Sequence, residues 1–419
     1  MFVMVVGFKK YNIQYTIRMK RYSEATYMNQ NFNTMLTRLG NHNPLSLSVP
    51  ETIPLTLSSV FAFDDVDSLN RVYDGEAEGF IYSRMTNPVH EALKEVMRTI
   101  DGGEDALVFS SGMAAITSTL ITHLKAGDHV LASQALYGET YEFLKYQLSK
   151  FNIDVTFAHF DDEDIDQYFT PRTRLVYTET ISNPLMAVND LQKLAEAAHA
   201  HGAKLVVDNT FATPVVCQPL KLGADVVVYS ATKYLCGHGD VTGGIVVSDQ
   251  ETIRAIDKVG TLYGGCMSPF DAWILIRSLK TLELRMKEHS GNALKLAAFF
   301  NSHPKINKVF YPGLESSPFF DRAGSLFNNQ LFGGMLTIDL KGETDSYRTF
   351  IDNLEGIKFV PSLAGVKTSV CSPAITSHRN LNDQELEEAG IGKSFIRIST
   401  GLEHIEDLIA EFDNVLNLI

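Results

Sequence analysis

Between about residues 105 and 247, short apolar runs alternate with turns and helical stretches, and this alternation constrains the fold more than any other feature. Ala106 to Phe109 is an apolar run followed by Ser110-Ser111-Gly112 and a helical stretch from Met113. His129 to Ala132 leads to a turn at Tyr137-Gly138 and an amphipathic stretch, Thr140 to Ser149. Arg174 to Tyr177 leads to a polar turn ending in Asn183-Pro184, and Asp190 then stands as an N-cap before Leu191, Leu194, Ala195 and Ala198. Lys204 to Val207 and Asp225 to Tyr229 are the next apolar runs. Strands that are apolar throughout and separated by helices predict a mostly parallel sheet sandwiched by helices, an α/β fold.

The texture changes after Gly264-Gly265. Ser268 to Phe300 reads as one long helical stretch, straight or bent. Beyond it, alternating runs at Gly334 to Leu340 and Phe395 to Ser399, with a last helix from about Glu403, predict a smaller C-terminal α+β domain. Residues 28 to about 85 have weak periodicity with several prolines and aromatics, which suits an arm lying on another surface. A chain of 419 residues is too long for one ordinary core. The expected division is a leader and arm over 1–85, a large domain over 86–275 and a small domain over 276–419.

Composition narrows the function classes. A formal net charge of -14 argues against nucleic acid as the main ligand. No run approaches the roughly 18 apolar residues of a membrane span. The four cysteines, Cys217, Cys236, Cys266 and Cys371, lack zinc-ligand spacing and fit reduced thiols, so no metal and a cytoplasmic location are expected. Residues 1–27 carry five basic side chains against one acid, Glu24. They read as a disordered leader or upstream start, with Met28 or Met35 as the working beginning, or as a mitochondrial-type targeting segment.

In open α/β sheets, ligands gather at the carboxyl ends of the strands. Ser111-Gly112-Met113 places small residues at a strand-to-helix turn, either a phosphate cradle or a turn that needs small residues anyway. Asp208 stands directly behind an apolar strand, where a carboxylate needs a partner or caps a helix. Lys233 stands in Ser230-Ala231-Thr232-Lys233-Tyr234, just past another core strand, where an ammonium is costly to bury unless it snorkels to the surface. Pyridoxal phosphate needs a lysine for its Schiff base, a carboxylate at the pyridine nitrogen, an aromatic face and a phosphate cup. Lys233, Asp208, Tyr137 and Ser111-Gly112-Met113 supply these four in an order that one sheet can bring together.

On these residues the sequence resembles the cysteine and methionine metabolism family of pyridoxal-phosphate enzymes, which includes cystathionine γ-synthase, cystathionine γ- and β-lyase, methionine γ-lyase and O-acetylhomoserine sulfhydrylase. The matching stretches are Tyr82-Ser83-Arg84 with Asn87-Pro88, Ser110 to Met113, Leu136-Tyr137-Gly138, Asn183-Pro184, Val207 to Thr210, Ser230 to Tyr234 with Gly237 to Asp240, and Arg397 with Gly401-Leu402-Glu403. They span about residues 35 to 419. The resemblance implies an aspartate-aminotransferase-like, fold type I architecture. It also implies roles. Lys233 would hold the cofactor covalently and then shuttle protons, Asp208 would pair with the pyridinium nitrogen, and Tyr137 would stack on the ring and serve as the acid for the leaving group. Ser111, Gly112, Met113, Ser230 and Thr232 would bind the phosphate, joined by Tyr82 and Arg84 from a neighbouring subunit, so that a homodimer or homotetramer shares its active sites. Arg397 would clamp the carboxylate of an amino-acid substrate, helped by Asn183 and Ser362.

The particular activity is less legible. Ala135 to Thr140 most resembles methionine γ-lyase, except that Glu139 stands where that enzyme usually has cysteine. Cystathionine enzymes often carry glutamate just before the serine matching Ser362, and here that neighbour is Pro361. The expected reaction is γ-elimination on methionine, homocysteine or cystathionine, giving a thiol, 2-oxobutanoate and ammonia; the rival is γ-replacement on an activated homoserine ester. A nicotinamide oxidoreductase would need a GxGxxG at the first strand-to-helix turn, which is missing. A protein that keeps the cofactor without turnover would not need every catalytic position filled.

Overall fold

The computed structural model describes residues 31–39, 50–161, 164–342, 346–379 and 382–419, so the basic stretch before Met28 lies outside the described residues. Seven strands build the larger sheet: β1 (Asp105–Phe109), β2 (His129–Ser133), β3 (Asp154–Ala158), β4 (Thr173–Glu179), β5 (Lys204–Asp208), β6 (Val226–Ser230) and β7 (Gly244–Ser248). Their order is β1-β7-β6-β5-β4-β2-β3. Neighbours from β3 to β6 are parallel, and β7 runs antiparallel to both β6 and β1.

The valine-rich strands are buried on both faces, as parallel strands between helices must be. Leu205 and Val207 pack into one apolar layer, which includes residues of the helices Pro88–Asp101 and Leu191–Ala200. Val206 packs into the other, with residues of Gly112–His123 and Gln250–Tyr263. Each fully buried valine or leucine there is worth about 1.5–3 kcal/mol. Asp190 accepts from Lys193 N–H and caps its helix as the sequence implies.

Two expected helices are broken. The stretch over Ser268 to Phe300 is two helices, Pro269–Leu279 and Leu282–Ser302, separated at Lys280-Thr281. The Arg285 guanidinium bridges the break, donating to Ser278 O at 3.0 Å and to Thr281 Oγ1 at 3.3 Å. The stretch Thr140 to Ser149 is a short α-helix, Gly138–Glu142, then a π-helical turn, Phe143–Gln147, and a 3₁₀ turn, Leu148–Phe151. Its apolar spacing still buries Leu144 and Leu148.

The second sheet has five strands, β8 (Ile306–Phe310), β9 (Met335–Leu340), β10 (Lys358–Phe359), β11 (Ser369–Cys371) and β12 (Phe395–Ser399), in the order β10-β11-β12-β9-β8. It is antiparallel except for the β10–β11 pair. The final helix, Ile405–Leu416, buries Leu408, Phe412, Val415 and Leu416. Residues 50 to 85 form one helix, Val66–Tyr73, and otherwise irregular chain joined by an isolated bridge between Val60 and Tyr82. No helix among the described residues is long and apolar enough to cross a membrane.

Candidate active site

Three adjacent parallel strands end side by side with chemistry-bearing residues. Glu179 at the end of β4 is the register partner of Asp208 at the end of β5. Paired residues on parallel neighbours point to the same face, on strands about 4.8 Å apart. Ser230 ends β6, and the chain turns through Ala231 and Thr232 to Lys233, whose N–H donates to Ser230 O at 3.1 Å. The turn after β5 is tied to this one: Thr210 N–H donates to Asp208 Oδ1 at 2.9 Å, and Ser230 N–H donates to Thr210 Oγ1 at 2.8 Å.

Asp208 and Glu179 are 8% and 6% exposed. Burial lifts the Asp208 carboxyl to about 6. Burial, then the negative charge of Asp208, raises Glu179 well above the ordinary carboxylate range. Among the described residues neither makes an ion pair with a lysine, arginine or histidine. A buried carboxylate pair without a cation is costly. A protonated ring nitrogen beside Asp208 is the kind of group that would relieve it.

The Lys233 amine is half-buried and donates to Ser362 Oγ at 3.1 Å. Desolvation first, and the Arg397 guanidinium second, pull its proton affinity below that of an ordinary lysine. A nucleophilic or proton-shuttling amine needs this, because only the neutral form has a lone pair to use.

Helix Gly112–His123 faces the same strand ends. Ser111 caps it, its side chain accepting from Ala114 N–H at 3.1 Å. A Cβ on Gly112 would come within 2.8 Å of Ser230 Cβ and 3.0 Å of its Cα, so only glycine lets the helix start this close to β6. The result is a positive helix end beside a serine hydroxyl, suited to an anion. The Thr232 hydroxyl is held at the edge of this cradle by Gly243 N–H, at 3.0 Å.

The phenol of Tyr137 is raised to about 12, by burial first and then by the Glu139 carboxylate, which also accepts its hydrogen bond. It is therefore protonated at any working pH and can donate. Arg397 on β12 is 3% exposed and donates from Nη1 to Asn183 Oδ1 at 2.8 Å. His378 is buried nearby and stays neutral, pushed down to about 4 by burial and then by Arg397.

The structure thus brings Lys233, Asp208, Tyr137, Asn183, Arg397, Ser362, Ser230, Thr232 and the Ser111-Gly112-Met113 turn to one end of the large sheet. It does not bring Tyr82 and Arg84 there within the one chain. Tyr82 is 41% exposed, and Arg84 Nη1 donates to Thr261 O at 2.8 Å, its guanidinium lying 5.5 Å from the Tyr82 ring centre. Sequence reasoning passed over Glu179 and His378. Glu179 carried the same signal as Asp208, an acid directly behind a core strand, but that strand runs two residues beyond Tyr177.

A half-buried lysine of lowered proton affinity, a carboxyl without a cation at the neighbouring strand end, an aromatic donor and a helix-end cradle on a mostly parallel sheet define a pyridoxal-phosphate enzyme of fold type I. The chain belongs, more narrowly, to the family described as Cys/Met metabolism PLP-dependent enzymes, whose model matches residues 33–417. It is 41% identical over 371 residues to L-methionine gamma-lyase of Fusobacterium nucleatum subsp. nucleatum, covering 88% of this chain and 93% of that one. It is 38% identical to the O-succinylhomoserine sulfhydrylase of Pseudomonas aeruginosa, over 91% of this chain and 94% of that one. Cystathionine gamma-lyase from Lactobacillus plantarum, solved with L-serine, superposes with a TM-score of 0.86 at 31% identity, over 93% of this chain and 99% of that one.

Proposed function

We propose that this chain catalyses γ-elimination on a sulfur amino acid, methionine, homocysteine or cystathionine, releasing a thiol, 2-oxobutanoate and ammonia. The observation that carries the reading is the half-buried Lys233 amine, its proton affinity lowered, at the strand ends where Asp208 and Glu179 stand without a cation. Pyridoxal phosphate, when bound, supplies an electron sink for the charge left on the substrate when its α and β protons depart. Lys233 would hold the cofactor and carry those protons, and Asp208 would hold the ring nitrogen. Ser111, Gly112, Met113, Ser230 and Thr232 would hold the phosphate. Tyr137 would cover the ring and give its proton to the departing sulfur. Arg397, oriented by Asn183, would grip the substrate carboxylate in a charge-assisted pair, with Ser362 beside it.

The likeness to a sulfhydrylase supports a second reading, γ-replacement, which would use the same residues. Purified protein given methionine, cystathionine, or O-acetylhomoserine with sulfide decides between them. Formation of 2-oxobutanoate from the first two supports elimination, and a new thiol or thioether product from the third supports replacement.

The site is proposed to be completed by a second copy, in a homodimer or homotetramer, through Tyr82 and Arg84. In support, Val60, Tyr82, Met85, Leu262 and Tyr263 are exposed around the Val60–Tyr82 bridge and the Arg84–Thr261 bond. Arg84→Ala and Lys233→Ala proteins, each inactive, should regain activity when dissociated and reassembled together, because one hybrid site carries neither lesion. We also propose the division at residues 85 and 275, with the seven-stranded sheet in the large unit and the five-stranded sheet in the small one. A cytoplasmic location accords with four free cysteines, three of them buried.

A further inference from the structure

Glu179 closes β4 with a carboxylate that must find partners to be buried. Its two oxygens find them on two different segments. Oε1 accepts from Tyr137 N–H at 2.6 Å, and Oε2 accepts from Asn183 N–H at 3.2 Å. The first amide sits at the N-cap of the helix Gly138–Glu142, whose residue carries the phenol. The second belongs to the residue whose side-chain oxygen receives Arg397 Nη1. Tyr137 and Asn183 are otherwise on separate loops, after β2 and after β4.

We propose that Glu179 is a positioning residue that ties the Tyr137 segment and the Asn183–Arg397 pair to one carboxylate, fixing the distance between the proton donor and the grip on the substrate carboxylate. The inference rests on the function proposed above, which gives Tyr137 and Arg397 their substrate-facing roles. A substrate held at one end by Arg397 and attacked at its γ-substituent by the Tyr137 proton must match that distance, and misplacement of either end by about 1 Å is costly in rate. Because Glu179 is also the register partner of Asp208, the side chain that sets this distance stands beside the proposed ring-nitrogen partner.

Norvaline, which has the α-carboxylate but no γ leaving group, reports the grip through the cofactor's absorption in the holoenzyme. Glu179→Gln keeps the shape but offers one acceptor oxygen, so its amide nitrogen repels one of the two N–H groups. Norvaline affinity is expected to fall roughly tenfold, the equivalent of one lost buried hydrogen bond. The circular dichroism of the cofactor band should change as the Tyr137 ring shifts, while cofactor content stays at one per chain. Glu179→Asp keeps both acceptor oxygens but is one methylene too short to reach both amides, and it should weaken norvaline to an intermediate degree; it decides alone if the glutamine variant does not fold. Unchanged norvaline affinity and an unchanged dichroic band in a folded variant overturn the proposal. Arg397→Ala separates the two layers of the argument. If it weakens norvaline while the Glu179 variants do not, only the positioning role falls; if it too leaves norvaline binding unchanged, the functional reading falls and the proposal with it.

Discussion

Arg285 and Arg397 are both almost inaccessible, at 5% and 3% exposure, yet their hydrogen bonds differ in kind. Arg285 donates to Tyr234 O at 2.7 Å, Leu235 O at 3.3 Å, Ser278 O at 3.0 Å and Thr281 Oγ1 at 3.3 Å. It binds the turn just after Lys233 to the junction between two helices, and its planar fork is nearly saturated. The Arg397 guanidinium makes one hydrogen bond among the described residues, to Asn183 Oδ1. The neighbouring residues Asp208 and Asn209 repeat the contrast. Asn209 Nδ2 donates to Cys217 O at 2.8 Å and to Tyr229 Oη at 3.0 Å, and its Oδ1 accepts from Thr180 at 2.8 Å. Asp208 accepts from the Thr210 amide. At Arg285 and Asn209 the partners come from the fold itself, whereas at Arg397 and Asp208 the chain leaves positions that a ligand would fill.

The sharpest way to break this division is at Lys233. Lys233→Ala should lower turnover by ~10³-fold or more, since proton transfer by a positioned side chain is worth about 10²–10⁴. Borohydride reduction of the parent protein followed by peptide mapping should place a pyridoxyl group on Lys233, and a label on another lysine would overturn the assignment.

At Asp208 the two readouts should move in opposite directions. Asp208→Asn should cut turnover by roughly 10²-fold or more, each tenfold being about 1.4 kcal/mol, while cofactor still binds. In the cofactor-free protein the same change should stabilise. Burial holds the folded carboxyl at about 6 against 3.8 for an ordinary aspartate, so the folded state holds more protons than the unfolded one between those values. Stability therefore falls as pH rises from about 4 to about 6 and stays lower above that. Asparagine removes this penalty, raising stability at pH 8 by about 1–3 kcal/mol and flattening the profile. Denaturant midpoints across that range test it, and an equally steep profile in the variant would count against the site's electrostatics.

The arginine pair should separate stability from binding. Arg285→Met leaves three carbonyls short of a donor and should cost about 2–4 kcal/mol, with KM nearly unchanged in the molecules that remain folded. Arg397→Ala should raise KM by roughly 10- to 100-fold with a smaller loss of stability. Thermal melts beside steady-state kinetics would show whether the two residues really differ. The smallest effect is expected at Glu139, an exposed carboxylate held by the Tyr137 phenol. Glu139→Cys should raise methionine relative to cystathionine in kcat/KM by roughly two- to fivefold, the scale of an exposed charge interaction. An unchanged ratio would leave Glu139 as a favourable charge at a helix start.

The sheet and much of its active end were legible because burial on both faces leaves a run of valine and leucine, and each run stops where a polar residue must do something. Two strands were nevertheless not singled out. β3 is an edge strand whose residues from Asp154 to Phe157 are only partly buried, and β7 returns antiparallel without a helix to announce it. The break at Lys280-Thr281 involves no proline or glycine and depends on Arg285 reaching across it, a contact that local periodicity cannot carry. Glu179 was missed for a related reason: its partners lie 42 residues before it and four after it. The π-helical turn keeps helical apolar spacing, so nothing in the pattern distinguishes it.

The pairing of β1 with β7 joins residues 105–109 to residues 244–248. During synthesis the strand that leads into the anion cradle, an edge strand whose one neighbour in the sheet is β7, therefore waits without a strand partner until the chain through Ser248 has left the ribosome. All of β2 to β6, the Lys233 turn included, emerges in that interval. The central parallel strands can associate first, and the closing of the β1 edge is a late, non-local event of the kind that slows folding and exposes apolar edges to other chains. A nascent chain released early would carry its lysine and aspartate already in place and lack the half of the cradle that makes them useful.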